Sequence, residues 1–66
     1  MTIVKIRELI GTSSKSFEDA LVKVVKHELK SGKNVTGAKI LSQSVEVNNG
    51  KITNYKVNAN VAYKWE

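Results

Sequence analysis

The sequence predicts an α+β fold, in which strand, helix, strand and strand build a three-stranded antiparallel sheet of order 1-3-2 packed on one helix. Three observations predict it. From Ile52 to Glu66 the chain alternates. Thr53, Tyr55, Val57, Ala59, Val61, Tyr63 and Trp65 point one way, while Asn54, Lys56, Asn58 and Asn60 point the other. This is the period of a strand with one buried face and one wet face. Only one stretch carries a helical apolar stripe, and Asn49-Gly50 marks a tight hairpin between two strand-like runs.

The first strand is expected over residues 2–10, with Val4, Ile6 and Ile10 on one face and Lys5 and Arg7 on the other. Glu8 interrupts the apolar face, which predicts partial exposure toward the strand's end. Gly11-Thr12-Ser13-Ser14 then reads as a turn, with Ser13 or Ser14 as the helix N-cap. The helix is expected over about 14–31. Phe17, Ala20, Leu21, Val24, Val25 and Leu29 form its apolar stripe, with Lys23, Lys26, Lys30 and Lys33 opposite as a solvated face. Glu18 and Asp19 suit the positive end of the helix dipole, and Gly32 supplies a left-handed C-terminal cap.

The second strand is expected over roughly 35–48. A type I′ turn needs positive φ twice, which Asn-Gly accepts. A tight turn there sets Ile40 against Ala59, Ala38 against Val61 and Ser44 against Tyr55 on one face. On the other it sets Gln43 against Lys56, Leu41 against Asn58, Lys39 against Asn60 and Gly37 against Ala62. The helix makes strands one and two run the same way, so an all-antiparallel sheet needs the third strand between them. The helix is then expected on the Tyr55–Val57–Ala59–Val61–Tyr63 face.

Sixty-six residues make a single domain, 1–66, close to the smallest size at which a core sustains a fold alone. With no cysteine there is no disulfide framework, and self-association is the natural substitute. The apolar runs are short and interrupted by charge, so a cytoplasmic protein with no membrane partner is expected. The net charge of +5 suits anionic ligands, but Arg7 is the single arginine and the wet strand face has no aromatic to stack a base. A small basic nucleic-acid-binding module is thus a secondary reading.

Catalysis finds little support, and no enzyme is expected. His27 sits among lysines at the border of the apolar stripe, and no nucleophile–base pair or carboxylate cluster at metal-ligand spacing occurs. The Gly-Thr-Ser-Ser segment lacks the Gly-Lys-Ser/Thr ending of a P-loop, which leaves capping as its role. Among the dispersed carboxylates, Glu46 is the one that symmetry-related copies could gather around a metal ion.

Leu9-Ile10-Gly11-Thr12-Ser13-Ser14, then Ser16-Phe17-Glu18-Asp19-Ala20, resembles the opening of the dodecins. The hairpin ending in Asn54-Tyr55-Lys56-Val57-Asn58-Ala59-Asn60-Val61-Ala62-Tyr63 continues the likeness, which covers about residues 3–65. The resemblance implies the same fold and a hollow homo-oligomer of twelve subunits, helices outside and open sheet faces inside. It also implies flavin (FMN, FAD or riboflavin) bound in pairs near threefold axes for storage, without catalysis. Two ligand positions map onto this chain. Where the flavin-stacking Trp of the family stands, this chain has Gly37, and where a Gln hydrogen-bonds the flavin, it has Lys56. Trp65 aligns near the end of the third strand, on the other face. Lys39 and Gln43 complete the expected site, and the lysines favour a phosphate-bearing ligand. A shell of the same fold that holds another ligand or a metal ion is the alternative.

Overall fold

Lys51–Trp65 forms the central strand of a three-stranded antiparallel sheet, with the strand that precedes it in sequence on one side and the N-terminal strand on the other. The computed structural model describes residues 3–65, as β1 (Ile3–Ser13), α1 (Phe17–Lys30), β2 (Asn34–Asn48) and β3 (Lys51–Trp65). The sheet order is β1-β3-β2, as the connectivity predicts. Thr2 and Glu66, assigned to strand ends from sequence, lie outside the described residues, as does the side chain of Trp65.

The alternation of β3 translates directly into burial. Val57, Ala59 and Val61 are fully buried beneath α1, joined by Ala20 and Val24 of the helix. Phe17 meets Tyr55 edge-to-face, with ring centroids 5.1 Å apart, and so closes one end of this layer. Among the described residues no buried apolar side chain is larger than valine. So thin a core leaves much apolar surface for other contacts.

The helix starts later than its sequence suggests. β1 runs on through Gly11-Thr12-Ser13, and the N-cap is Ser16, whose hydroxyl accepts from the Asp19 N–H at 2.9 Å. Ser13 is instead a bracket between strand and helix. Its Oγ donates to the Asp19 carboxylate and accepts from the Lys15 N–H at 3.0 Å. Gly11 explains why the strand persists: a Cβ there would collide with Val24 Cγ2 and lie 2.7 Å from the Ala20 carbonyl oxygen. The residue read as a turn signal is a crossing point where the helix lies directly on the strand.

At the other end, Gly32 adopts φ 81° and a Schellman motif ends the helix. The Gly32 N–H reaches the Leu29 carbonyl at 3.0 Å and the Lys33 N–H reaches that of Glu28 at 3.4 Å. Leu29, expected in the apolar stripe, is half exposed, and Glu28 is fully buried in its place.

The hairpin turn takes positive φ at both Asn49 (53°) and Gly50 (74°), as a type I′ turn requires. Pairing begins in the expected register at Asn48↔Lys51 and Val47↔Ile52. An irregularity then makes Thr53 an extra residue on β3, and a second at Leu41 on β2 restores the original register. Ile40↔Ala59, Lys39↔Asn60, Ala38↔Val61 and Gly37↔Ala62 therefore pair as expected. Between the two bulges the expectation fails: Ser44 faces Lys56, Val45 faces Tyr55, Gln43 faces Val57, and Asn58 faces Ser42 rather than Leu41.

Candidate functional site

The sheet face turned away from the helix is built as crosswise rows. On β3 it presents Asn54, Lys56, Asn58, Asn60 and Ala62, flanked by β1 on one side and β2 on the other. Opposite partners put Thr12, Lys56 and Ser44 in one row, and Ile10, Asn58 and Ser42 in the next. Glu8, Asn60 and Lys39 make a charged row, and Ile6, Ala62 and Gly37 a small apolar one. Val4, Ile6 and Ile10 do share a face, but it is this uncovered one; Ile6 and Ile10 remain 63% and 64% exposed. The reason lies in the other side of β1. Arg7, Leu9, Gly11 and Ser13 pair with Val61, Ala59, Val57 and Tyr55, and so lie on the helix side.

The expected ligand residues separate into two groups. Gly37, Lys39 and Lys56 all lie on the open face. Gly37 has nothing within 4 Å of where a Cβ would stand, so an occupant has room there. Lys56 is half-buried between Thr12 and Ser44, and Lys39 is exposed beside Asn60. Gln43 is a correction: the bulge pair shifts it to the helix side opposite Val57, and Ser44 takes its place beside Lys56. Glu46 is exposed opposite Asn54, in the hairpin beyond the end of β1. Among the described residues no three acidic, imidazole or thiol groups gather as a metal site within one chain.

Distances along the strand limit what one chain does alone. Gly37 sits opposite Ala62, six residues from Lys56 on β3. At about 3.3 Å per residue that is roughly 20 Å, too far for one small ring to touch both. Between them, the Oδ1 of Asn58 is buried and accepts no hydrogen bond.

The electrostatics that sequence reasoning missed lie on the helix side. Glu28 is fully buried, with Arg7 Nε 3.3 Å from one carboxylate oxygen and Lys33 Nζ 2.8 Å from the other. The Lys33 hydrogen bond, helped by the charge of Arg7, holds its carboxyl below the ordinary glutamate value despite burial. Lys33 also stands over the Tyr63 ring, 5.5 Å from its centroid. Two signals were present in the sequence: Glu28 lies four residues beyond Val24, and Arg7 alternates onto the helix side of β1. At the opposite end of the helix, the Ser13 hydroxyl is the main cause that lowers the Asp19 carboxyl, with Lys23, 3.4 Å away, and Lys15 adding to it. Both clusters brace the fold and face away from the open sheet.

No described helix is long and apolar enough to cross a membrane. A search of curated proteins finds no matching sequence. Among solved structures, a point mutant of dodecin from Thermus thermophilus superposes with a TM-score of 0.94 at 20% identity, covering 100% of this chain and 98% of that one. Dodecin from Streptomyces davaonensis gives 0.91 at 15% identity, covering 98% and 96%. The calcium chelating antigen calcium dodecin from Mycobacterium tuberculosis, described with a novel calcium-binding site, gives 0.82 at 29% identity, covering 97% and 91%. The Dodecin family model matches residues 3–66, nearly the whole chain, which therefore belongs to the dodecin family.

Proposed function

We propose that this protein is a cytoplasmic, closed homo-oligomer of twelve chains that binds and sequesters a small molecule at its open sheet faces, without catalysis. One observation carries the reading. The open face combines exposed apolar residues, Val4, Ile6 and Ile10, with the cations Lys39 and Lys56. An apolar, cationic face on a chain with so thin a core suits both burial against other copies and capture of a planar anion. The roughly 20 Å between Gly37 and Lys56 supports the same reading, because a site that uses both draws them from different copies.

The ligand class follows from the same residues. Lysine ammonium groups favour a phosphate-bearing molecule, such as FMN, FAD or another nucleotide, over riboflavin. Gly37 supplies no aromatic surface, so stacking has to come from the ligand itself, as in a pair of flavins. The test is the absorption spectrum of the purified protein, its mass by light scattering, and quenching of FMN fluorescence on titration. A mass near twelve chains with quenching at micromolar protein supports the proposal. No quenching at tens of micromolar removes the flavin version, and a monomer removes the assembly.

A second reading has its own support. The Mycobacterium tuberculosis relative is described as binding calcium, and Glu46 is an exposed carboxylate on a face that assembly would bring near its copies. In that case calcium raises the melting temperature of the assembly, and Glu46→Gln abolishes the rise.

A further inference from the structure

α1 packs on all three strands and is the only described helix, so nothing described covers its outer side. Ala20, Val24 and Glu28, each four residues beyond the last, form its buried row. At about 100° per residue, the direction opposite that row falls between Val22 and Lys26, with Leu29 and Lys30 beside them. Two apolar side chains therefore stand in water at the crest of the helix, Val22 at 39% exposure and Leu29 at 51%. Lys26, Lys30 and Lys23 run along one flank of this pair, all exposed. From Ala20 to Lys33 the sequence holds one acid, Glu28, which is buried and held by Arg7 and Lys33. Asp19 is engaged by Ser13 and Lys23 at the far end of the helix. Among the described residues no carboxylate pairs with Lys26 or Lys30.

Lysines on a convex face without a free acid attract an anionic surface. Val22 and Leu29 decide its chemistry. Nucleic acid is held through arginine or through aromatic rings that stack its bases. The helix has no arginine, and its only Phe, Tyr or Trp is Phe17, turned inward against Tyr55. Against a phosphate backbone the two aliphatic side chains gain nothing. An anionic bilayer accommodates both kinds of group, with ammonium ions at the lipid phosphates and aliphatic side chains at the boundary between headgroups and acyl chains. The sequence predicts no membrane partner because no segment spans a bilayer, but a surface contact needs no span.

We propose that the outer face of α1, made of Val22, Lys23, Lys26, Leu29 and Lys30, docks on the surface of an anionic lipid bilayer. The helix lies flat in the headgroup layer, Val22 and Leu29 downward. Two aliphatic side chains and three lysines hold a single chain weakly, so the contact depends on several copies engaging together. The assembly proposed above supplies them, because open sheet faces turned inward leave the helices outside. The inference goes beyond sequestration and takes only this multiplicity from that reading.

The test is co-sedimentation of the purified protein with vesicles of phosphatidylcholine alone and of an equal mixture with phosphatidylglycerol, at low and high salt. Binding is expected to the anionic vesicles only, and to be lost at high salt. Lys26→Gln/Lys30→Gln is expected to lower the partition coefficient at least about 25-fold, at about fivefold per lysine. Lys51→Gln/Lys64→Gln removes the same charge elsewhere and is expected to bind as the wild type does. Val22→Gln/Leu29→Gln keeps every charge and is expected to bind at least about tenfold more weakly, with melting temperature and mass unchanged. Undiminished binding by this last variant overturns the proposal, as does equal loss in the Lys51/Lys64 variant. A gel shift with duplex DNA by a protein that ignores both vesicles assigns the face to nucleic acid and overturns it too. An intact assembly that binds neither vesicle overturns the docking and leaves sequestration standing. A monomeric wild type that does not sediment overturns both.

Discussion

The Lys33 ammonium stands 2.8 Å from Oε2 of Glu28, across the Schellman turn that closes α1. The backbone already joins these residues, because the Lys33 N–H donates to the Glu28 carbonyl. A hydrophobic contact often links these two positions in such a cap. Here an ion pair does so, and Arg7 on β1 completes it from below. One carboxylate thus ties the end of the helix, the start of β2 and the first strand together.

This clasp predicts acid sensitivity with a definite sign. Lys33, then Arg7, holds the Glu28 carboxyl below its ordinary value of 4.5 in the folded state. The unfolded chain therefore binds the proton first. The stabilisation is complete above the ordinary glutamate range and is lost as pH falls through the lowered folded value. Melting temperatures between pH 7 and pH 3 measure it. Glu28→Gln is expected to cost about 1–3 kcal/mol at pH 7 and to flatten the acid limb of the curve. Asp19, also lowered, accounts for part of the remainder, and Asp19→Asn identifies that part.

Gly11 predicts a packing effect that conformation does not explain. Its Cβ would lie 2.7 Å from the Ala20 carbonyl oxygen, a helix backbone atom with no rotamer to escape into. Gly11→Ala therefore pushes the helix from the sheet and is expected to cost about 1–3 kcal/mol in urea unfolding, as overpacking does. Gly37→Ala, with open space around it, is the matched control and stays near the wild type.

Helix capping gives a third expectation. Ser14→Ala is expected to be neutral, while Ser16→Ala removes the acceptor of the Asp19 N–H and costs about 0.5–2 kcal/mol. Chemical denaturation of the two variants distinguishes the caps.

The strand order, the hairpin turn and the buried row Val57–Ala59–Val61 were legible because each rests on local chemistry: connectivity, positive φ and two-residue alternation. The register between Gln43 and Asn54 was not. A bulge at Thr53 and its compensation at Leu41 depend on how a long hairpin twists, and no residue in the sequence marks either. The helix start was misread because Gly11 resembles a turn residue when its neighbour in space, Ala20, is unknown. Glu28 was missed for a related reason: a charge in an apolar stripe looks like the stripe's edge until Arg7 and Lys33 are seen around it. On the open face, the hairpin turn alone set Gly37 opposite Ala62, six residues from Lys56, and the paired bulges leave that separation unchanged.

That distance shapes the final prediction, in which the ligand site is rebuilt. Gly37 opens onto empty space, so Gly37→Trp adds an aromatic plate to the open face without displacing a neighbour. Stacking on an aromatic is worth about 1–3 kcal/mol per ring, and Lys56 is kept as the cation for the phosphate. The Gly37→Trp variant is expected to bind FMN about 5- to 150-fold more tightly than the wild type, at roughly 1.4 kcal/mol per tenfold. Fluorescence quenching measures it. Since the two positions are too far apart to act within one chain, the gain should appear only in the assembled fraction separated by size. If monomeric fractions gain equally, the composite site is wrong.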